Sequence, residues 1–180
     1  MTLREYEKKV CSIIKQQIYW GSLTIDLCSS VCAASGIWSD MLNCPASLTD
    51  KRYRQLEHKL FVKIGKVLCC LAQLAREAEV SLSHIYSYAH HKGMGDSSVT
   101  KYMLRMVSSA GEFLCPDMTH ETRCYKKIIT DHIVLVMHDV INVIEAYKSS
   151  YRGSKDSSSL MDDILKLSLT ELRNSKEEKS

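Results

Sequence analysis

The stretch KLFVKIGKVLCCLAQLAREAEVSLSHIYSYAHHK, residues 59–92, carries the pattern that decides the fold. Its apolar residues recur every three or four positions, which is the period of an amphipathic helix rather than of a strand. Apolar side chains fill most of the helix circumference and leave one polar stripe. At about 100° per residue, this stripe consists of Lys59, Lys63, Lys66, Cys70, Gln73 and Glu77. The pattern therefore predicts a largely buried helix with a narrow polar seam.

The rest of the chain has the same helical period and contains two prolines and seven glycines. Breaks are predicted where turn residues gather, most clearly in KGMGDSS at residues 92–98. We therefore expect an all-α protein. The predicted helices span residues 3–19, 23–42, 50–79, 81–92, 98–114, 119–149 and 158–173, and residues 174–180 are predicted to form a disordered tail.

The composition limits the class of protein. With 180 residues, 45% of them hydrophobic and 25% charged, the chain suffices for one or two packed units rather than several domains. The net charge is +3, and the 24 basic residues are dispersed among 21 acids. The composition therefore disfavours duplex nucleic acid as a partner.

The cysteines and the N-terminus bear on the compartment. The chain has eight cysteines, but its first ten residues, MTLREYEKKV, lack the apolar region of a secretion signal. We therefore expect free thiols and a cytoplasmic protein. The longest apolar run, residues 128–144, contains Asp131, His132, His138 and Asp139, so we assign it to a protein core and expect no membrane partner.

The sixth predicted helix repeats the layout of the third. A shift of 65 residues superposes Lys66 on Asp131 and Gln73 on His138 within similar apolar surroundings. Upstream, VCAASGIWSDML at 31–42 is similar to MVSSAGEFL at 106–114. The pattern predicts an internal duplication with two helical hairpins of one kind, followed by a C-terminal amphipathic helix at 158–173.

Three segments of the first half, MTLREYEKKV, LCSSVCAASGIWSDML and KIGKVLCCLAQLAREAEVSLSHI, resemble the MazG-like all-α nucleoside triphosphate pyrophosphohydrolases. The resemblance covers residues 1–92, and residues 97–149 resemble a second, more degenerate copy packed on the first. It implies a four-helix-bundle-like fold built of two tandem hairpin units, and a homodimer. It also implies cleavage with Mg²⁺ held by a Glu-x-x-Glu and a Glu-x-x-Asp pair on neighbouring helices.

Most of these acids are missing from the chain. The family's acidic positions correspond here to Ala34, Ile37, Lys63 and Lys66 in the first copy and to Ser109, Glu112, Ile128 and Asp131 in the second. Because a hard cation needs several carboxylate oxygens, we expect a pseudoenzyme without a metal or other cofactor.

A non-catalytic ligand-binding protein is the favoured hypothesis. Lysine ammonium groups would take the place of the metal and hold the phosphates of a nucleotide or another phosphorylated molecule without hydrolysing it. The predicted ligand-binding residues are Lys59, Lys63, Lys66, Lys92, Glu112 and Asp131.

Two alternatives stay open. In the first, Lys63 and Lys66 pair with Glu112 and Asp131 across a pseudo-two-fold axis, and the protein is a helical scaffold that acts through protein contacts. In the second, a single metal supports residual catalysis; its ligands would come from Glu112, Glu121, Asp131 and His138.

Overall fold

The structure is a computed structural model that describes residues 1–14, 20–44, 51–90, 98–114, 122–152 and 159–177. Every regular element in these ranges is helical, which confirms the all-α prediction. Seven α-helices are accompanied by a 3₁₀ turn at Glu112–Leu114 and a π turn at Lys148–Arg152. The α-helices are α1 (Leu3–Ile13), α2 (Trp20–Leu42), α3 (Lys51–Glu77), α4 (Leu82–His90), α5 (Val99–Gly111), α6 (Thr122–Tyr147) and α7 (Ser159–Glu177).

Helices α2, α3, α5 and α6 pack as a four-helix bundle in which α2 and α6 each contact both α3 and α5. Helices α2 and α5 are antiparallel. The Trp38 indole Nε1 donates a hydrogen bond to Thr100 Oγ1 at 3.0 Å near one end, and Cys28 Sγ donates to the Ala110 carbonyl oxygen at 3.0 Å nearer the other.

Helices α3 and α6 are also antiparallel. The rings of Phe61 and Tyr147 lie 5.5 Å apart at one end of the pair. At the other end, Lys126 Nζ lies 2.7 Å from a carboxylate oxygen of Glu79, just beyond α3. The bundle therefore has an end marked by Tyr147, called the Tyr147 end below, and an opposite end near Glu79.

The remaining helices cover α3 and α6. Helices α1 and α7 pack on α3, and α4 packs on α6. The closest approach lies between α3 and α7, where a Cβ added to Gly65 would be 2.8 Å from Ser168 Cβ. There Ser168 Oγ donates to the Gly65 carbonyl oxygen at 2.8 Å and is 2.8 Å from the Tyr6 hydroxyl of α1. One hydrogen-bonded contact thus joins α1, α3 and α7.

Helix α7 runs beyond its predicted end at Arg173. It continues to Glu177, and Lys176 Nζ donates to the Ile13 carbonyl oxygen at the C-terminal end of α1. The Lys176 ammonium group is stabilised at this helix end, because the last carbonyl groups of a helix lack intrahelical donors and carry partial negative charge. The prediction of a disordered tail from residue 174 is therefore wrong for residues 174–177.

Helix α3 ends in a Schellman motif. Glu79 has a φ of 60°, and the amides of Glu79 and Val80 donate to the carbonyl oxygens of Arg76 and Ala75 at 3.0 and 2.9 Å. The chain then turns into α4, whose first amide, that of Leu82, donates to a carboxylate oxygen of Glu7 at 3.1 Å.

Within the described ranges, no helix combines the length and apolarity that a membrane span requires.

Candidate functional site

The first half of α3 presents a row of cationic side chains, here called the basic face. Its first two turns line an open surface pocket with Lys51, Arg54, Gln55, His58 and Lys59, and none of these described lining residues is an acid. The row continues at the same helical spacing to Lys63, which is half-buried, and Lys66, which is exposed. The basic face is defined by Lys51, His58, Lys59, Lys63 and Lys66, which span about 140° of the helix circumference, whereas Arg54 points about 180° away from Lys63.

The two acids of α3 each have a partner outside the basic face. Glu57 accepts a hydrogen bond from the Tyr147 hydroxyl at 3.0 Å, and Glu77 pairs with Arg76 at 3.3 Å. Among the described residues, Lys59, Lys63 and Lys66 form no ion pair with an acid. Cations that crowd one helix face repel one another, so an anion bound among them would lower the electrostatic energy.

The predicted residues Glu112 and Asp131 lie away from these lysines. Glu112 faces the ring of His132, with its carboxylate 3.3 Å from Nδ1, and Asp131 is exposed. Asp131 precedes Tyr147 by sixteen positions on α6, which separates it from the Tyr147 end by about 24 Å of helix. Lys63 is close to that end, because it follows Phe61 by two positions.

The lysine–acid pairing that the scaffold hypothesis required is therefore not formed by the described residues. The antiparallel packing of α3 and α6 explains why. It places the first half of α3, with Lys63, beside the last turns of α6, whereas Asp131 lies in the first half of α6. Two other predicted residues, Lys92 and Glu121, lie outside the described residues.

The positions that carry acids in the MazG-like family show no metal centre. Ala34 is fully buried, and Ser109 donates a hydrogen bond to another side chain, Asp139, at 2.9 Å. In the described part of the chain, no group of three or more histidines, cysteines, aspartates or glutamates is placed to hold a metal ion.

The cysteines of α3 next to Lys66 are buried and free. Burial raises the pKa of the Cys69 thiol to about 11, although Lys66 acts weakly against this shift. Burial also raises the pKa of the Cys70 thiol. Both thiols are therefore protonated at neutral pH and pack as small apolar groups rather than acting as nucleophiles.

The sequence interpretation missed a buried carboxylate. Asp139 is 1% exposed and joins α6 to α5. Its Oδ2 accepts the hydrogen bond from Ser109, and its Oδ1 lies 3.3 Å from Arg105 Nε and 3.6 Å from His138 Nδ1. The sequence could have indicated this contact, because Asp139 lies within an apolar run of α6 and a buried carboxylate requires polar partners on a neighbouring helix.

Asp139 should make the stability depend on pH. Burial raises its pKa, against the opposing effects of Ser109, Arg105 and His138. The folded protein therefore binds this proton more tightly than the unfolded chain, and the free energy of unfolding should increase as the pH falls through the raised pKa. Urea midpoints measured between about pH 4 and 7 should show this increase relative to Asp139→Asn, which cannot titrate.

The histidine beside Asp139 is present in both proteins, so the difference between their pH profiles isolates the carboxyl group. Parallel profiles of the two proteins would show that Asp139 does not titrate abnormally.

No known protein family, curated protein or solved structure matches the chain.

Proposed function

We propose that the protein binds a phosphorylated ligand, in the simplest case a nucleotide, on the basic face of α3 and does not hydrolyse it. The observation that carries this proposal is the row of basic side chains at helical spacing, where the described residues that line the pocket include no acid. Phosphate is the anion that such a row suits best. Lysine provides a mobile point charge with three hydrogen-bond donors for it.

The half-buried Lys63 is the central residue of this proposal. An ammonium group that is partly removed from water loses hydration, and a bound phosphate would restore its hydrogen bonds and neutralise its charge. Lys59 and Lys66 flank it at i−4 and i+3 on the same face of α3. The three lysines can therefore contact one phosphate chain together.

The lack of hydrolysis rests on the interpretation of the chain as a degenerate MazG-like protein. This interpretation is supported by the two helical hairpins, α2–α3 and α5–α6, which pack together as one bundle. In this interpretation the hairpins are the two copies of a duplicated unit. Lysines then stand where the metal-binding acids of the first copy would be, and a ligand binds without Mg²⁺.

A thermal-shift assay with nucleoside mono-, di- and triphosphates tests the function. A nucleotide present at about one hundred times its Kd should add about 2.7 kcal/mol to the free energy of unfolding. We expect this stabilisation to persist in EDTA and to be lost in Lys59→Ala and Lys63→Ala. Lys101→Ala is the matched control, because Lys101 is an exposed lysine on α5, away from the basic face.

Three results would contradict the proposal. They are the absence of any shift across the nucleotide panel, a shift that survives in both lysine variants, and a shift that requires Mg²⁺. The last would favour the residual metal site instead.

A protein-binding scaffold is the second candidate function. The observation that favours it is the exposure of Ile25 (61%) and Leu104 (62%) on the adjacent helices α2 and α5. Large exposed side chains of this kind can anchor a protein contact, including one with a second copy of the chain, although single exposed apolar residues are common. Sedimentation velocity of the purified protein, compared with Leu104→Lys, would detect a homodimer formed through the exposed Leu104 side chain.

A further inference from the structure

The basic face is longer than a mononucleotide requires. Lys51 and Lys66 are fifteen positions apart on one continuous helix, which separates them by about 22 Å along its axis. Lysine or histidine side chains occur in every intervening turn. The phosphates of one nucleotide can reach cations on about two adjacent turns, which are about 5 Å apart. A mononucleotide would therefore leave the basic residues on the other turns of the basic face without a phosphate.

The basic face lies along the open side of α3 between two neighbouring helices. Gly65 contacts Ser168 of α7, whereas Cys70 lies on the side of α3 that is near Asp26 and Cys28 of α2. At about 100° per residue, Lys51, Lys59 and Lys66 point between the directions of Gly65 and Cys70, and Lys63 points about 20° past Cys70. A ligand on this face would therefore lie along α3, with α2 and α7 on either side.

The row of cations has a defined end. Beyond Lys66, the next residues on the same stripe are Cys70 and Gln73, which are buried, and then Glu77, which is acidic. The other end is Lys51, the first residue of α3. The geometry thus specifies a linear site of limited length with cations distributed along it.

On the premise that the basic face binds phosphate, we propose that its ligand is single-stranded nucleic acid, held along α3 by its phosphate backbone. A flexible single strand can present successive phosphates to a straight row of cations, whereas the strands of a duplex wind away from such a row. Gln55 and His58, which lie among the cations, can donate and accept hydrogen bonds with sugars or bases. Among the described residues that line the pocket, His58 has a ring on which a base can stack, and such stacking tolerates any base, so binding should depend little on base sequence.

Fluorescence anisotropy with labelled oligothymidylates of increasing length tests this proposal on the full chain. Affinity should rise with length until the strand spans the basic face and then level off. Each phosphate neutralised on a single strand contributes about −0.7 to the slope of log K against log salt. We therefore expect a slope near −3 for a strand whose phosphates contact the four lysines of the row, and a shallower slope for thymidine monophosphate, which has no condensed counterions to release.

Variants at the two ends of the row provide the specific readout. Lys51→Ala and Lys66→Ala should each make the slope for the long strand less negative by about 0.7. Lys101→Ala should leave it unchanged. Both end residues are exposed, so their replacement should not affect folding.

The outcomes separate this inference from the proposed function. A mononucleotide that binds as tightly as the long strand would overturn the inference and leave the proposed function intact. Failure of both ligands to bind would overturn both. Equal or tighter binding of duplex DNA or of vesicles with anionic lipids, or end variants that behave like wild type, would also reject a single-stranded ligand.

Discussion

Gly65→Ala should destabilise the protein by about 2 kcal/mol, although alanine is the better helix former. The new methyl group would lie 2.8 Å from Ser168 Cβ, 3.3 Å from Ser168 Cα and 3.4 Å from the Ile164 carbonyl oxygen. Two of these three atoms belong to the backbone of α7, so a side-chain rotation cannot relieve the overlap. Helix α7 would have to move away from α3, which would weaken the hydrogen bond from Ser168 Oγ to the Gly65 carbonyl.

Gly36→Ala is the matched control for this prediction. Gly36 also lies inside a long helix, but a Cβ there would meet no atom within 4 Å. The same substitution should therefore stabilise the protein by about 0.5–1 kcal/mol through helix propensity alone. Urea unfolding followed by circular dichroism measures both variants. If Gly65→Ala were as stabilising as Gly36→Ala, the close packing of α7 on α3 would be wrong.

These two glycines illustrate what the sequence could and could not predict. The helical period of α3 correctly predicts a long, largely buried helix, because periodicity reports which side of a helix is apolar. Periodicity does not report which helix covers that side. The partner of Gly65 is Ser168, more than one hundred positions later, and nothing local to either residue marks their contact. Tertiary packing of this kind therefore emerges only from the structure.

The candidate site was predictable to a similar extent. Lys59, Lys63 and Lys66 do share one face of α3, as the spacing predicts. The first half of the row, with Lys51 and His58, was missed because the interpretation took its start from the apolar stretch at residue 59. The composition does not indicate the basic face either, because it counts charges over the whole chain and cannot show that folding gathers the basic residues of one helix on its open side.

The predicted association of the lysines with Asp131 failed for a different reason. A shift of 65 residues aligns Lys66 with Asp131 in the sequence, but aligned positions of two repeats coincide in space only where a symmetry axis passes close to them. In the antiparallel pair of α3 and α6, the aligned residues lie at different heights along the bundle. A repeat in the sequence thus constrains which helices are alike, and not which of their residues meet.

The second large effect is expected at Tyr147, which closes the Tyr147 end of the bundle. Its ring lies 6.0 Å from that of Trp38 on α2 and 5.5 Å from that of Phe61 on α3, with edge-on geometry in both cases. The side chain is 1% exposed, so Tyr147→Ala would leave a cavity among three helices. We expect a loss of about 4 kcal/mol in the free energy of unfolding, measured with urea.

Tyr147→Phe separates the contribution of the ring from that of the hydroxyl group. The hydroxyl donates to Glu57 at 3.0 Å and lies 3.4 Å from the hydroxyl of Tyr53. Burial raises the pKa of Tyr147, so the group remains a donor to the Glu57 carboxylate throughout the neutral range. Removing a hydrogen bond to a charged acceptor should cost about 1.5 kcal/mol, well below the cost of removing the ring. If Tyr147→Phe and Tyr147→Ala proved equally destabilising, the polar contact with α3 rather than aromatic packing would hold this end of the bundle together.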